Sequence, residues 1–82
     1  MFDTNKTYVF QAKLLGDSLD NLDKYWGSQC NNRIVKVSSD GYLGTITING
    51  VDYWIMKSWC RVLDDTKVDA FCKATGQQNP NS

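Results

Sequence analysis

Two turn signals, Ser38-Ser39-Asp40-Gly41 and Asn49-Gly50, divide residues 33–56 into three short stretches rich in Val, Ile and Thr. Asn and Gly readily take positive φ, which a two-residue type I′ hairpin turn demands at both central positions. With Asn49-Gly50 as that turn, Ile48 faces Val51, Ile46 faces Tyr53 and Gly44 faces Ile55, all on one side of the pleat. A four-residue loop at Ser38 to Gly41 sets Val37 opposite Tyr42 and Val35 opposite Gly44, again on that side. A one-residue slip at either turn drives Thr47 or Asp52 into the core. The chain is therefore expected to rest on a three-stranded meander with one buried apolar face. Gly44, mid-strand, marks a point where the sheet bends or another element comes close.

The flanking segments extend this plan. Tyr8, Phe10, Ala12 and Leu14 alternate within Lys6 to Leu15, which predicts a half-buried strand. Asp17 or Ser18 can cap a helix whose apolar face is Leu19, Leu22 and Trp26, with Gly27 ending it and Cys30-Asn31-Asn32 looping back to the sheet. Lys57 to Cys60 reads as a short or 3₁₀ turn, and Arg61-Val62-Leu63 as an edge strand. Thr66-Lys67-Val68-Asp69 fits a variant capping box, opening a helix with the stripe Val68, Phe71 and Cys72 that ends near Gly76. The expected fold is one α+β domain over residues 1–76. It is a small SH3-like barrel of about five strands, with a helix inserted in the N-terminal half and a helix at the C-terminus. An open antiparallel sheet covered by two helices is the alternative. Residues 77–82 are expected to be a disordered tail.

At 82 residues the chain holds one modest core, and no apolar run is long enough to span a bilayer. Its opening Met1-Phe2-Asp3 lacks a basic start and an apolar stretch, so no signal peptide and a cytoplasmic location are expected. Nine Lys and Arg balance nine acidic residues, all Asp, with no His. Simple electrostatic capture of nucleic acid and mimicry of DNA are both disfavoured by that balance. The three cysteines, Cys30, Cys60 and Cys72, show neither zinc-ribbon nor CxxC spacing. Buried reduced thiols are expected, with no metal and no cofactor; a disulfide is an option only in an exported form.

No nucleophile with a base, metal cluster or phosphate loop is visible. Asp20 with Asp23, and Asp64 with Asp65, read as a polar helix face and a helix start rather than catalytic pairs. An enzyme is not expected, because so small a chain has little mass for a cleft. The side of the meander opposite the core presents Ile34, Leu43, Trp54 and Met56, with Thr45, Thr47, Lys36 and Asp52 around them. Trp and Met bury large, adaptable surface, so Leu43, Trp54 and Met56, with Trp59 in the nearby turn, are the expected partner-binding residues. The competing outcome is that the helix Leu19 to Trp26 covers this face as a second core. A small barrel binding single-stranded nucleic acid is the second functional reading, since its Trp and Tyr side chains can stack on bases. Arg33, Lys36, Lys57 and Arg61 are the grouping available for phosphates.

Trp26-x-x-x-Cys30, the Val-bearing strand, the Gly-containing hairpin and the closing Trp59-Cys60 together resemble short accessory proteins of phages and prophages of Gram-positive bacteria. The resemblance spans roughly residues 5–63. It implies a product that binds and modulates a host protein, such as a defence or replication factor, in the host-cell cytoplasm. It carries over no functional residues.

Overall fold

The computed structural model of the chain describes residues 1–15 and 27–79. Five strands form two antiparallel sheets. β1 (Thr7–Phe10) pairs with β5 (Cys60–Leu63), and β2 (Lys36–Val37), β3 (Gly44–Ile48) and β4 (Val51–Trp54) form the meander. The fold class is α+β, with a helix at Val68–Thr75 near the C-terminus and no closed barrel among the described residues. The predicted helix Leu19 to Trp26 lies outside the described residues.

The second hairpin has the predicted register. Asn49 (φ 53°) and Gly50 (φ 82°) make the turn, and Ile46 pairs with Tyr53 and Ile48 with Val51. The first hairpin does not. Val37 pairs with Gly44 and Lys36 with Thr45, two residues away from the expected register. The cause is local polar chemistry. Ser38 N–H donates to Leu43 O, while Leu43 N–H donates to the Ser38 hydroxyl, so Ser38 and Leu43 close the ladder and the loop runs from Ser39 to Tyr42. Asp40 accepts from the Ser38 hydroxyl and from Tyr42 N–H, and Gly41 takes φ 78°. An even shift keeps Val35 and Ile46 on the buried face, but Tyr42, expected opposite Val37 on that face, falls in the loop and is exposed, and Val51 at the end of the second hairpin is exposed as well.

Gly44 admits a neighbour, as expected. A Cβ there would lie 2.6 Å from the Phe2 ring, and Phe2 is only 5% exposed. Phe2 also packs edge-on against Tyr8, and its N–H donates to Gly41 O, which pins the N-terminus over the meander. The main core joins Phe2, Tyr8, Phe10, Cys30, Val35, Ile46 and Ile55.

Elsewhere the alternation misled. The strand predicted to reach Leu15 stops at Phe10, and Ala12–Leu15 is a 3₁₀ turn held by Ala12 N–H on the Asn31 carboxamide and Leu14 N–H on Gln11 O. β1 is buried on both faces, because Val9 packs into a second cluster with Leu63, Val68 and Cys72 under the C-terminal helix. Gly27 does not end a helix; residues 27–30 are helical, and a Cβ on buried Gly27 would lie 2.9 Å from Leu15 Cδ1. The left-handed residue after this helix is Asn32, at φ 63°. The capping box is likewise replaced. Asp64, not Thr66, accepts the free N–H, and a 3₁₀ turn at Asp65–Lys67 leads into the helix, which Gly76 ends at φ 72°.

One segment links the sheets. Phe10 N–H donates to Arg33 O and Val35 N–H to Tyr8 O, forming a bridge between Val9 and Ile34, after which the same segment enters β2 and pairs with β3.

Candidate partner-binding face

The outer face of the meander is set by the β3–β4 register. Thr45 lies opposite Trp54 and Thr47 opposite Asp52, with Lys36 next to Thr45 on β2, giving a cross-strand row Lys36–Thr45–Trp54. Ile55 N–H donates to Gly44 O, so the ladder runs past Trp54 and brings Leu43 opposite Met56. The exposures are 75% for Trp54, 57% for Met56 and 43% for Leu43. Tyr42, in the adjoining loop, is also exposed. The Thr47 hydroxyl donates to the Asp52 carboxylate, which holds the polar border of this face.

The four apolar residues assigned to this face by sequence do not stay together. Ile34 packs against Val9, Leu63 and the C-terminal helix, so a helix does cover part of the second apolar set, but from the opposite end of the chain. Leu43, Trp54 and Met56 remain open to solvent. Trp59 is brought near Met56 by its backbone, donating N–H to Met56 O, while its ring turns onto Phe10 at 6.4 Å and 90°. It is half-buried and belongs to the wall of the main core.

The basic residues also regroup. Arg61 lies over the Phe71 ring at 5.7 Å, and Lys57 borders a shallow depression beside Asp3 and Asp40. Arg33 and Lys36 instead meet Lys6 along an open groove of about 810 Å³. Thr45, Thr47 and Gln77 are among its other lining residues, and no acidic residue among the described ones lines it. Lys6 was missed in the sequence because only the bridge from β1 to residues 33–35 brings it to this side. Gln77, assigned to a tail, is a clamp. Its carboxamide accepts from Ile34 N–H at 2.7 Å and donates to Asn32 O at 2.8 Å.

The thiols are all free, with Cys30 and Cys72 buried. Burial pushes the Cys60 thiol up to about 11, and its Sγ–H donates to Met56 O. Burial also raises Cys30, partly opposed by the nearby Arg33 charge. Raised thiols are poor nucleophiles near neutral pH. The described residues contain no cluster of three or more His, Cys, Asp or Glu side chains able to hold a metal ion. No helix among them is long and apolar enough to cross a membrane.

No family model matches the chain, and no curated protein or solved structure matches it.

Proposed function

We propose that this chain is a non-enzymatic protein-binding module whose contact face is Leu43, Trp54 and Met56. The observation that carries the reading is the exposure of these three large side chains on one sheet face, led by Trp54 at 75%. A folded domain gains nothing from a solvated indole, whereas a buried Trp at an interface contributes on the order of 2 kcal/mol or more. The finer architecture proposed is SH3-like. It is supported by the segment that passes from one sheet to the other and by the 3₁₀ turn between β4 and β5. The resemblance to phage accessory proteins supports a host protein as the target, with inhibition of a defence or replication factor in the host cytoplasm as the mode.

Trp54→Ala should reduce capture of a host protein from Gram-positive lysate by roughly 30-fold in affinity, with melting temperature nearly unchanged. Unfolding of the variant would show that Trp54 is a core residue and end the proposal; so would undiminished capture. Single-stranded nucleic acid is the second reading, favoured by the row that sets exposed Trp54 two strands from Lys36. An unchanged Trp emission on titration with oligonucleotides at low salt eliminates it.

A further inference from the structure

We infer that the groove beside this face receives an extended, acidic segment of the partner polypeptide, paired with β3 at Thr47. The inference rests on the protein-partner reading above. It begins with the ladder. Hydrogen-bonded and open pairs alternate in an antiparallel sheet, and Gly44 exchanges with Ile55, so Thr45 and Thr47 direct their N–H and C=O away from β4 and toward β2. Thr45 meets Lys36 there. The next pair would be Thr47 with Ile34, and it is not made, because Ile34 gives its N–H to Gln77. The sheet therefore splits at this point, and the groove opens between Ile34 and Thr47 with the β3 edge on one wall. An open main-chain edge is the feature that extended peptides recognise.

Charge selects the kind of peptide. Lys6, Arg33 and Lys36 are exposed along the groove, and none of the three forms an ion pair among the described residues. The whole chain is neutral, so this cationic groove is a segregation of charge rather than a consequence of composition. Asp or Glu on alternate positions of a docked strand would face these cations while its backbone pairs with Thr47. A nucleic acid can answer the cations but not the strand edge.

The test is fluorescence anisotropy at low salt with labelled peptides of about nine residues. One probe alternates Asp with Thr, one alternates Lys with Thr, one is the Asp peptide N-methylated on every second amide, and one is an oligothymidylate of equal length. The Asp peptide should bind, the Lys peptide should not, and N-methylation should weaken binding at least about tenfold. Arg33→Glu with Lys36→Glu should cost at least about tenfold, and Lys6→Glu provides the same direction should the double variant misfold. Tighter binding of the oligothymidylate, indifference to N-methylation, or no binding of the Asp peptide overturns the inference. Trp54→Ala separates the two proposals. If it abolishes host-protein capture while the Asp peptide fails to bind wild type, the contact face stands and the groove does not. If the Asp peptide binds and capture is untouched by Trp54→Ala, the groove is a peptide site and the contact face fails.

Discussion

Gly44→Ala should be among the most damaging single-methyl additions to this domain. The new Cβ would fall 2.6 and 2.7 Å from two Phe2 ring carbons and 2.9 Å from Val35 Cγ1, and real Cβ atoms essentially never approach below 3.0 Å. Val35 is buried in the same core between strands, so Phe2, near the chain's start, is the group that must leave. Losing its burial costs about 1.5–3 kcal/mol. Losing the edge-on contact with Tyr8 adds about 0.5–1.5 kcal/mol. The backbone gains up to about 1 kcal/mol from replacing a strand glycine, which leaves a net loss of about 1–4.5 kcal/mol, centred between 2 and 3. A domain of this length is stable by roughly 4–12 kcal/mol, so the loss is large, and it corresponds to a fall in Tm of about 10–20 °C. Thermal or urea unfolding followed by Trp emission measures it. The Phe2→Ala variant supplies the control. With the ring gone only the 2.9 Å approach to Val35 Cγ1 remains, so adding Gly44→Ala should cost clearly less than in the wild type, and the two changes are non-additive. An undiminished penalty in the Phe2→Ala background would show that the strain does not lie at Phe2 and refute the reasoning.

Gln77→Ala removes both bonds of the carboxamide clamp and strands the Ile34 N–H, costing about 1–2 kcal/mol, and the Ile34 amide should show the largest acceleration of hydrogen exchange. Cys60 keeps its proton to about 11 in the folded chain, against 9.0 for the unconstrained thiol. The folded state therefore binds the extra proton between these values, and stability should fall as pH rises through that window, less so in Cys60→Ala, as followed by urea midpoints. Cys60 should also resist iodoacetamide at pH 8 under native conditions. Asp40 and Asp64 are held below the usual carboxylate value by hydrogen bonds from Ser38 and Tyr42 and from Thr66 respectively. Their contribution is present above an unfolded value near 3.8 and is lost as pH falls below it, so Asp40→Asn should flatten the acid limb of the stability profile.

How much of this was legible in the sequence depended on whether the deciding interaction was local. Asn49-Gly50 specifies its hairpin through φ alone, and the register followed residue for residue. Ser38 to Gly41 contains the same class of turn residues, yet its register is decided by whether Ser38 closes the ladder with Leu43, a choice that turn composition does not encode. Face assignment survived for Val35 and Ile46 because the error was two residues, but the shift moved Tyr42 out of the ladder and into the solvated loop. The candidate face was partly legible for the same reason. Period-two alternation identifies Leu43, Trp54 and Met56 as outward, but not that Ile34, with identical parity, is taken by a helix some 35 residues further along the chain. Nor could alternation find Lys6 or Gln77, which reach the groove through the β1 bridge and the exit of the C-terminal helix.

The placement of that helix explains why Trp54 is where it is. The described chain has two apolar surfaces beyond the main core, Val9 with Ile34 and Leu63 on one sheet, and Leu43 with Trp54 and Met56 on the other. The helix, eight residues long, has Val68 and Cys72 as its buried positions, an area that one short sheet face uses up. Covering Val9 makes β1 buried on both faces and also buries Leu63 at the end of β5. Trp54 sits instead on β4, an edge of the meander, where the Thr47–Asp52 pair and Thr45 supply a polar setting that keeps the hairpin solvated without it. On the proposed reading, Trp54→Ala leaves the fold intact. Its place on an open edge, one cross-strand row from the cationic groove, is what makes it the contact residue of the proposed interface.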